Sequence, residues 1–361
     1  MKGKNMTVVW VVLILAAFGV GYIVRPAVAP AAVDPADVPE PVIEWTMQGI
    51  YMTGHPLFTK AQEWTEEVYL ASGGRLKITL HPVGALVPAA ELLSAVSAGT
   101  IDVGHSFPPW WIGTKRAFGL FCGQTVGMSQ DEYRTWLLSG GGWELAGELY
   151  GQHNLHWIPF SNDPAETFLW AKQPIRVLAD LEGMKVRAAG LSLDVFKRLG
   201  IDAHFIATAE IVPSLLKGVI NAAEFLFLEA DYAMGFHDAA KYAMMGERAP
   251  SHATGIEINR DRWNELPADL QAIVTNTALR SLITTYGEFR LGEAAAAQRL
   301  RDKGVTFVAV SDELNKQVRD GFDAVLDDEA AKDPFFARAW ASARDFRTSY
   351  RETVRTLWPW E

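Results

Sequence analysis

Apolar residues recur along this chain in two rhythms, and the way the rhythms alternate predicts its elements. Arg75–His81 places Leu76, Ile78 and Leu80 at every second position, the period of a strand with one buried face. Before it, Pro56–Ser72 carries Phe58, Ala61, Trp64, Val68 and Leu70 as an approximate helical stripe, and Val42–Gln48 reads as a first strand. Further strands are predicted at 100–104, 156–160, 166–171, 184–188, 221–225 and 305–310. Helices are predicted at 89–98, 192–199 and 210–216, and at 130–150 with an interruption at Gly140-Gly141-Gly142. From Asp261 the pattern stays helical for about forty residues to Leu300, and Ser311 to Trp358 is mainly helix, broken near Pro334, with Ser311 as its cap.

Alternation of strands with helices predicts the α/β class and a largely parallel sheet. With 361 residues, 49% of them hydrophobic, the chain is long enough to build two lobes rather than one core. Chain crossings between such lobes form a hinged cleft. Ligands of open α/β sheets sit outside the carboxyl ends of the strands, and Arg187 and Glu224 both fall near such ends.

The amino terminus has a different pattern. Lys2 and Lys4 precede an uncharged, mostly apolar run from Thr7 to Val24, then Arg25 and a Pro/Ala-rich stretch to Pro41. Residues 1–25 read as an export signal. The run also approaches the ~20 residues that span a bilayer, so an uncleaved inner-membrane anchor is the alternative. In either case the two lysines keep the amino end in the cytoplasm and place the rest in the periplasm, with residues 26–41 as a linker.

A net charge of −10 argues against binding to a phosphate backbone and directs attention to small molecules and proteins. The single cysteine, Cys122, excludes an intramolecular disulfide or cysteine metal cluster and reads as a small buried hydrophobe. His153 and His156 are close in sequence but have no cysteine or carboxylate beside them, which disfavours zinc.

The most informative stretch is Asp180-Leu181-Glu182-Gly183-Met184-Lys185-Val186-Arg187, followed by Leu215-Leu216-Lys217-Gly218-Val219-Ile220, Ala223-Glu224-Phe225, Gly235-Phe236 and Ala240-Lys241-Tyr242. Trp263-Asn264-Glu265-Leu266-Pro267 adds a later mark. In order and spacing these resemble the substrate-binding proteins of TRAP transporters, over roughly residues 43 to 350. The resemblance implies a two-lobe periplasmic-binding-protein type fold with hinge strands and a long helix lying across both lobes. It puts the first lobe at 43–163 plus about 247–285, the second at 164–246 plus about 286–340, and a helical extension at 341–361.

The same resemblance places a substrate carboxylate on Arg187, whose planar fork offers two parallel hydrogen bonds where lysine offers a point charge. It places a metal ion, sodium or calcium, on the Glu224 side chain and the Phe225 carbonyl, oxygen ligands of the kind these ions take. The bland alternative for Glu224 is an ion pair with Arg187 or a lysine. Aligning Trp170 with the family's strand tryptophan puts Glu166 where members have a glutamine that touches substrate and metal. Ionised glutamate only accepts hydrogen bonds, so two carboxylates at one ion would favour a divalent cation. A second departure is Gly246-Glu247-Arg248-Ala249-Pro250, where Ala249 stands at an acidic position of 2-oxo-acid binders and puts that preference in doubt.

From the first lobe, Phe107-Pro108-Pro109-Trp110-Trp111 either roofs the cleft or packs in the core, with Trp110 as a candidate ligand contact. Tyr51 and His55 follow the first strand near the cleft mouth. There is no Gly-x-Ser-x-Gly elbow, Walker loop or His-Glu-x-x-His pair. Glu166 and Glu224 are formally an acid/base pair, but their arginine neighbour argues for holding an anion. The expectation is a receptor, not an enzyme, that captures a small organic acid and hands it to a TRAP permease. The alternative is a membrane-tethered sensor, and the carboxyl-terminal helices could support a homodimer.

Overall fold

The computed structural model describes residues 42–357. The predicted signal or anchor and the Pro/Ala linker lie outside the described residues, and among those described no helix is long and apolar enough to cross a membrane.

Two sheets organise the chain. The first runs in the order β2 (Leu76–His81), β1 (Ile43–Gly49), β3 (Val103–Ser106), β10 (His252–Asn259), β4 (Leu155–Asp163). The second runs β11 (Thr306–Ala309), β9 (Tyr242–Met245), β5 (Leu169–Ala171), β8 (Ala222–Ala223), β6 (Lys185–Arg187), β7 (Asp202–His204). The expectation of a largely parallel arrangement is corrected: β10 is antiparallel to both β3 and β4, and β5 is antiparallel to both β8 and β9. The reason is connectivity. β5 and β10 are reached by chain arriving from the other sheet, not by a helical crossover within one, so nothing forces them parallel.

Two crossings, between β4 and β5 and between β9 and β10, run side by side. The Glu166 amide donates to the Ala249 carbonyl at 2.9 Å, and the Phe168 amide to the Met244 carbonyl at 2.8 Å. The predicted forty-residue helix is a short helix, Arg260–Glu265, followed by a 35-residue helix, Ala268–Asp302. Pro267 accounts for the break, since a proline favours the first turn of a new helix over the interior of an old one.

That long helix serves both lobes. In its first half Leu270, Val274 and Ala278 pack with Trp45, Trp64 and Ile256 beneath the first sheet, and Thr277 accepts the Trp64 indole N–H at 3.0 Å. In its second half Ala296 and Leu300 join Trp170, Ile211 and Leu215 of the second lobe. Glu293 there accepts the amides of Leu228 and Glu229 at 3.1 and 2.8 Å. The predicted helical tail is two helices, Asp312–Ala330 and Pro334–Leu357; Ser311 caps the first through its side chain, accepting from Leu314 N at 3.1 Å. The last helix returns to the first-lobe helices, where Arg347 donates to the Val126 carbonyl and Arg351 pairs with Glu132. The result is a mixed α/β fold of two lobes.

Candidate functional site

β6 is three residues long and lies between β7 and β8, both parallel to it, which leaves Arg187 at its carboxyl end. The neighbouring β8 stops at Ala223, and the next residue continues the parallel ladder, its Glu224 amide donating to the Arg187 carbonyl at 3.1 Å. Arg187 is thereby fixed against Glu224: Nη1 donates to the Glu224 carbonyl at 2.7 Å and to its Oε1 at 3.3 Å, while Nε donates to the Ile206 carbonyl at 3.2 Å. Glu224 Oε1 also accepts the Ala189 amide at 2.7 Å. Among the described residues Arg187 Nη2 has no hydrogen-bond partner, so one edge of the fork stays open.

The two crossings contribute the other half of the cluster. Glu166 comes from the first and Arg248 from the second. Arg248 Nη2 donates to Glu166 Oε2 at 2.7 Å and to the Thr167 carbonyl at 3.0 Å. Nη1 lies 3.1 Å from Glu224 Oε2 and 3.4 Å from Ser192 Oγ, and Nε donates to the Phe168 carbonyl at 3.2 Å. A guanidinium has five N–H donors, and here five acceptors face them. Burial works against the charge of Arg248, but Glu224 and Glu166 outweigh it and hold the group above the usual arginine value.

Relative exposures are 3% for Arg187, 3% for Glu224, 2% for Glu166 and 0% for Arg248. The cluster is therefore enclosed. A surface concavity beside Thr65, Tyr69 and Lys77 lies near β2 and involves none of these residues.

First-lobe residues form a second polar group within electrostatic reach. Tyr51 stacks on His55 with ring centroids 4.7 Å apart and lies 5.4 Å from His105. Burial pushes the Tyr51 phenol well above its ordinary value, and nearby Asp163, Cys122, Glu257 and Glu166 add to the effect. Burial pushes His55 and His105 down to about 3, so both are neutral near pH 7. His252 Nδ1 contacts Asp163 Oδ2 at 2.5 Å, and its ring is covered by Phe107 at 4.3 Å. Tyr51 Oη, His55 Nε2, His105 Nδ1 and His252 Nε2 are buried polar atoms with no hydrogen-bond partner among the described residues.

Glu224 does pair with Arg187, the bland alternative, yet the pair is buried rather than at the surface. The Phe225 ring stacks on Phe236 with Arg187 6.0 Å from its centroid. The Phe107–Trp111 segment divides its roles: Trp111 is buried and donates to Ser106 Oγ at 2.8 Å, while Trp110 is half-buried in the short turn Pro108–Trp111. That turn faces the second lobe, with Pro109 close to Gly190. His153 sits by Phe118 and His156 stacks on Trp263, so the two do not converge. Cys122 is fully buried. Sequence reasoning missed Arg248 as a site residue; the signal lay one place before Ala249, in the segment already marked as departing from the family pattern.

A family profile described as bacterial extracellular solute-binding protein, family 7, matches residues 49–333. A monocarboxylate 2-oxoacid-binding periplasmic protein of a Nostoc species is 28% identical over 308 residues, 85% of each chain. A TRAP periplasmic solute-binding protein of Colwellia psychrerythraea, with bound calcium and pyruvate, superposes with a TM-score of 0.83 at 25% identity, covering 88% of this chain and 98% of its own. One of Pseudoalteromonas atlantica, with bound sodium and pyruvate, gives a TM-score of 0.82 at 26% identity, covering 88% and 97%.

Proposed function

The chain belongs to the bacterial extracellular solute-binding proteins of family 7, and on that premise we propose that it captures a small organic acid between its two lobes and delivers it to a TRAP permease. The carrying observation is Arg187: its Nε and Nη1 are tethered by Ile206 and Glu224 while the Nη2 edge is free, inside an enclosed site. A carboxylate there would receive a charge-assisted hydrogen bond in a place shielded from water.

On this reading Tyr51 and Trp110 touch the solute from the first lobe, and Glu166 acts through its place beside Arg248. The lobes divide at 43–163 with about 247–285, and 164–246 with about 286–340, so that β5 to β9 and β11 move against the first sheet. The crossings at Glu166 and Arg248 are the hinge. The extension 341–361, export or anchoring by residues 1–25, and a homodimer belong to the same reading. The relatives are receptors rather than enzymes, and they support transport, not the sensor alternative.

The sodium or calcium of the two neighbours agrees with the oxygen set expected here, Glu224, the Phe225 carbonyl and Glu166, which is of the hard kind such ions take. In the arrangement described, however, Arg248 is bonded to both carboxylates, and that set does not fit an ion as well.

The test is thermal unfolding of the purified chain against 2-oxo, 2-hydroxy, dicarboxylic, aromatic and amino acids. A shift with one acid class that disappears in Arg187→Ala supports the receptor and names its solute class. No shift with any acid removes the reading.

A further inference from the structure

We infer that the Arg248 guanidinium is itself the cation of this site, and that the chain holds its acid without a bound metal ion. The inference rests on the receptor reading and narrows it.

The geometry carries the argument. Glu166 and Glu224 each give an oxygen to a different nitrogen of one fork, at 2.7 and 3.1 Å. An ion bridging the same two oxygens would have to lie where the guanidinium lies. The fork is also anchored by the Phe168 and Thr167 carbonyls and by Ser192. Moving it aside would strip buried acceptors of their donor, which is costly when no replacement is at hand.

Charge points the same way. Two arginines already face two glutamates in a place with 0 to 3% exposure. A metal ion added beside them would meet two guanidinia in a medium that screens little. The two departures from the family pattern therefore act as one exchange. A glutamate stands at the glutamine position, and Arg248, beside Ala249, brings the positive charge that satisfies it. Because it makes four hydrogen bonds and an ion pair with Glu224, Arg248 is a positioning residue that supplies a fixed field, and Arg187 has an edge left for the acid.

The experiment measures two things on the full chain after chelation in a sodium-free, potassium-based buffer. The first is the thermal shift given by pyruvate and by the best acid of the panel, with and without added calcium or sodium. The second is retention of radioactive calcium or sodium in equilibrium dialysis, with Glu224→Gln as the control for ions held elsewhere. The expected results are equal acid shifts with and without ions, and no retention that Glu224→Gln removes. In Arg248→Met, the acid shift should vanish in chelator and return with calcium. An acid shift that needs calcium or sodium in the unaltered chain overturns the inference, as does one retained ion per chain lost in Glu224→Gln. If no acid gives a shift, the receptor reading falls, while dialysis still decides this inference and needs no variant of Arg248 to fold.

Discussion

Arg248 and Glu166, 82 residues apart in sequence, meet at 2.7 Å on adjacent crossings between the lobes, both shielded from solvent. The pair thus ties the two crossings to each other. Breaking one partner of a buried pair leaves an uncompensated charge, so Arg248→Ala should lose about 3–5 kcal/mol of unfolding free energy. Glu166→Gln combined with Arg248→Met should lose less than the sum of the single changes, by about 0.5–3 kcal/mol, as contacting residues do. Urea unfolding of the four proteins checks this, and strict additivity would contradict the contact.

Arg187 should separate binding from folding. Its removal leaves Glu224 with the Ala189 amide and Arg248. Arg187→Ala should therefore remain folded by circular dichroism while the stabilisation given by acid, about 2.7 kcal/mol at a hundred times the dissociation constant, is lost. Arg187→Lys should recover only part, because a point charge lacks the planar fork. Calorimetric titration measures it; full affinity in the lysine variant would mean the fork is not used.

Stability should peak in mildly acid solution. Burial pushes Glu257 up to about 8 and Glu293 up to about 7, so each is protonated in the fold where the unfolded chain is ionised. Their contribution is whole below the ordinary carboxyl value of 4.5 and fades as pH rises toward 8 and 7. His55 and His105, pushed down to about 3, act oppositely: their contribution is whole above 6.5 and fades as pH falls. Unfolding across pH should show a maximum between these limits. Glu257→Gln, which still accepts from Ser106, should flatten the alkaline side; a curve parallel to that of the unaltered chain would refute the assignment.

Gly255 should not tolerate a side chain. It lies at the irregularity in the pairing of β10 with β4, and a Cβ there would sit 2.0 Å from Trp157 Nε1. Trp157 is buried and stacked on Tyr150, so Gly255→Ala should destabilise by about 1–3 kcal/mol through overpacking. A melting temperature equal to that of the unaltered chain would show that the indole can move.

The sequence alone determined the elements whose apolar spacing is local. Strands such as Leu76–His81 and helices such as Pro56–Ala71 have one buried face, and that face is written as a period of two or of 3.6. Arg187 and Glu224 were legible for a similar reason, since each stands at the end of a short strand inside a motif of fixed spacing. β10 escaped because it is buried along its whole length and so shows no alternation; its polar residues bond distant partners, His252 Nδ1 with Asp163 and Thr254 with Ser161. Arg248 escaped for the same physical reason. An arginine is fully buried only when enough acceptors converge on it, and its acceptors come from a separate crossing, from β8 and from the helix Gly190–Arg198. Their convergence exists only once the two lobes have folded, so tertiary structure alone made Arg248 part of the site.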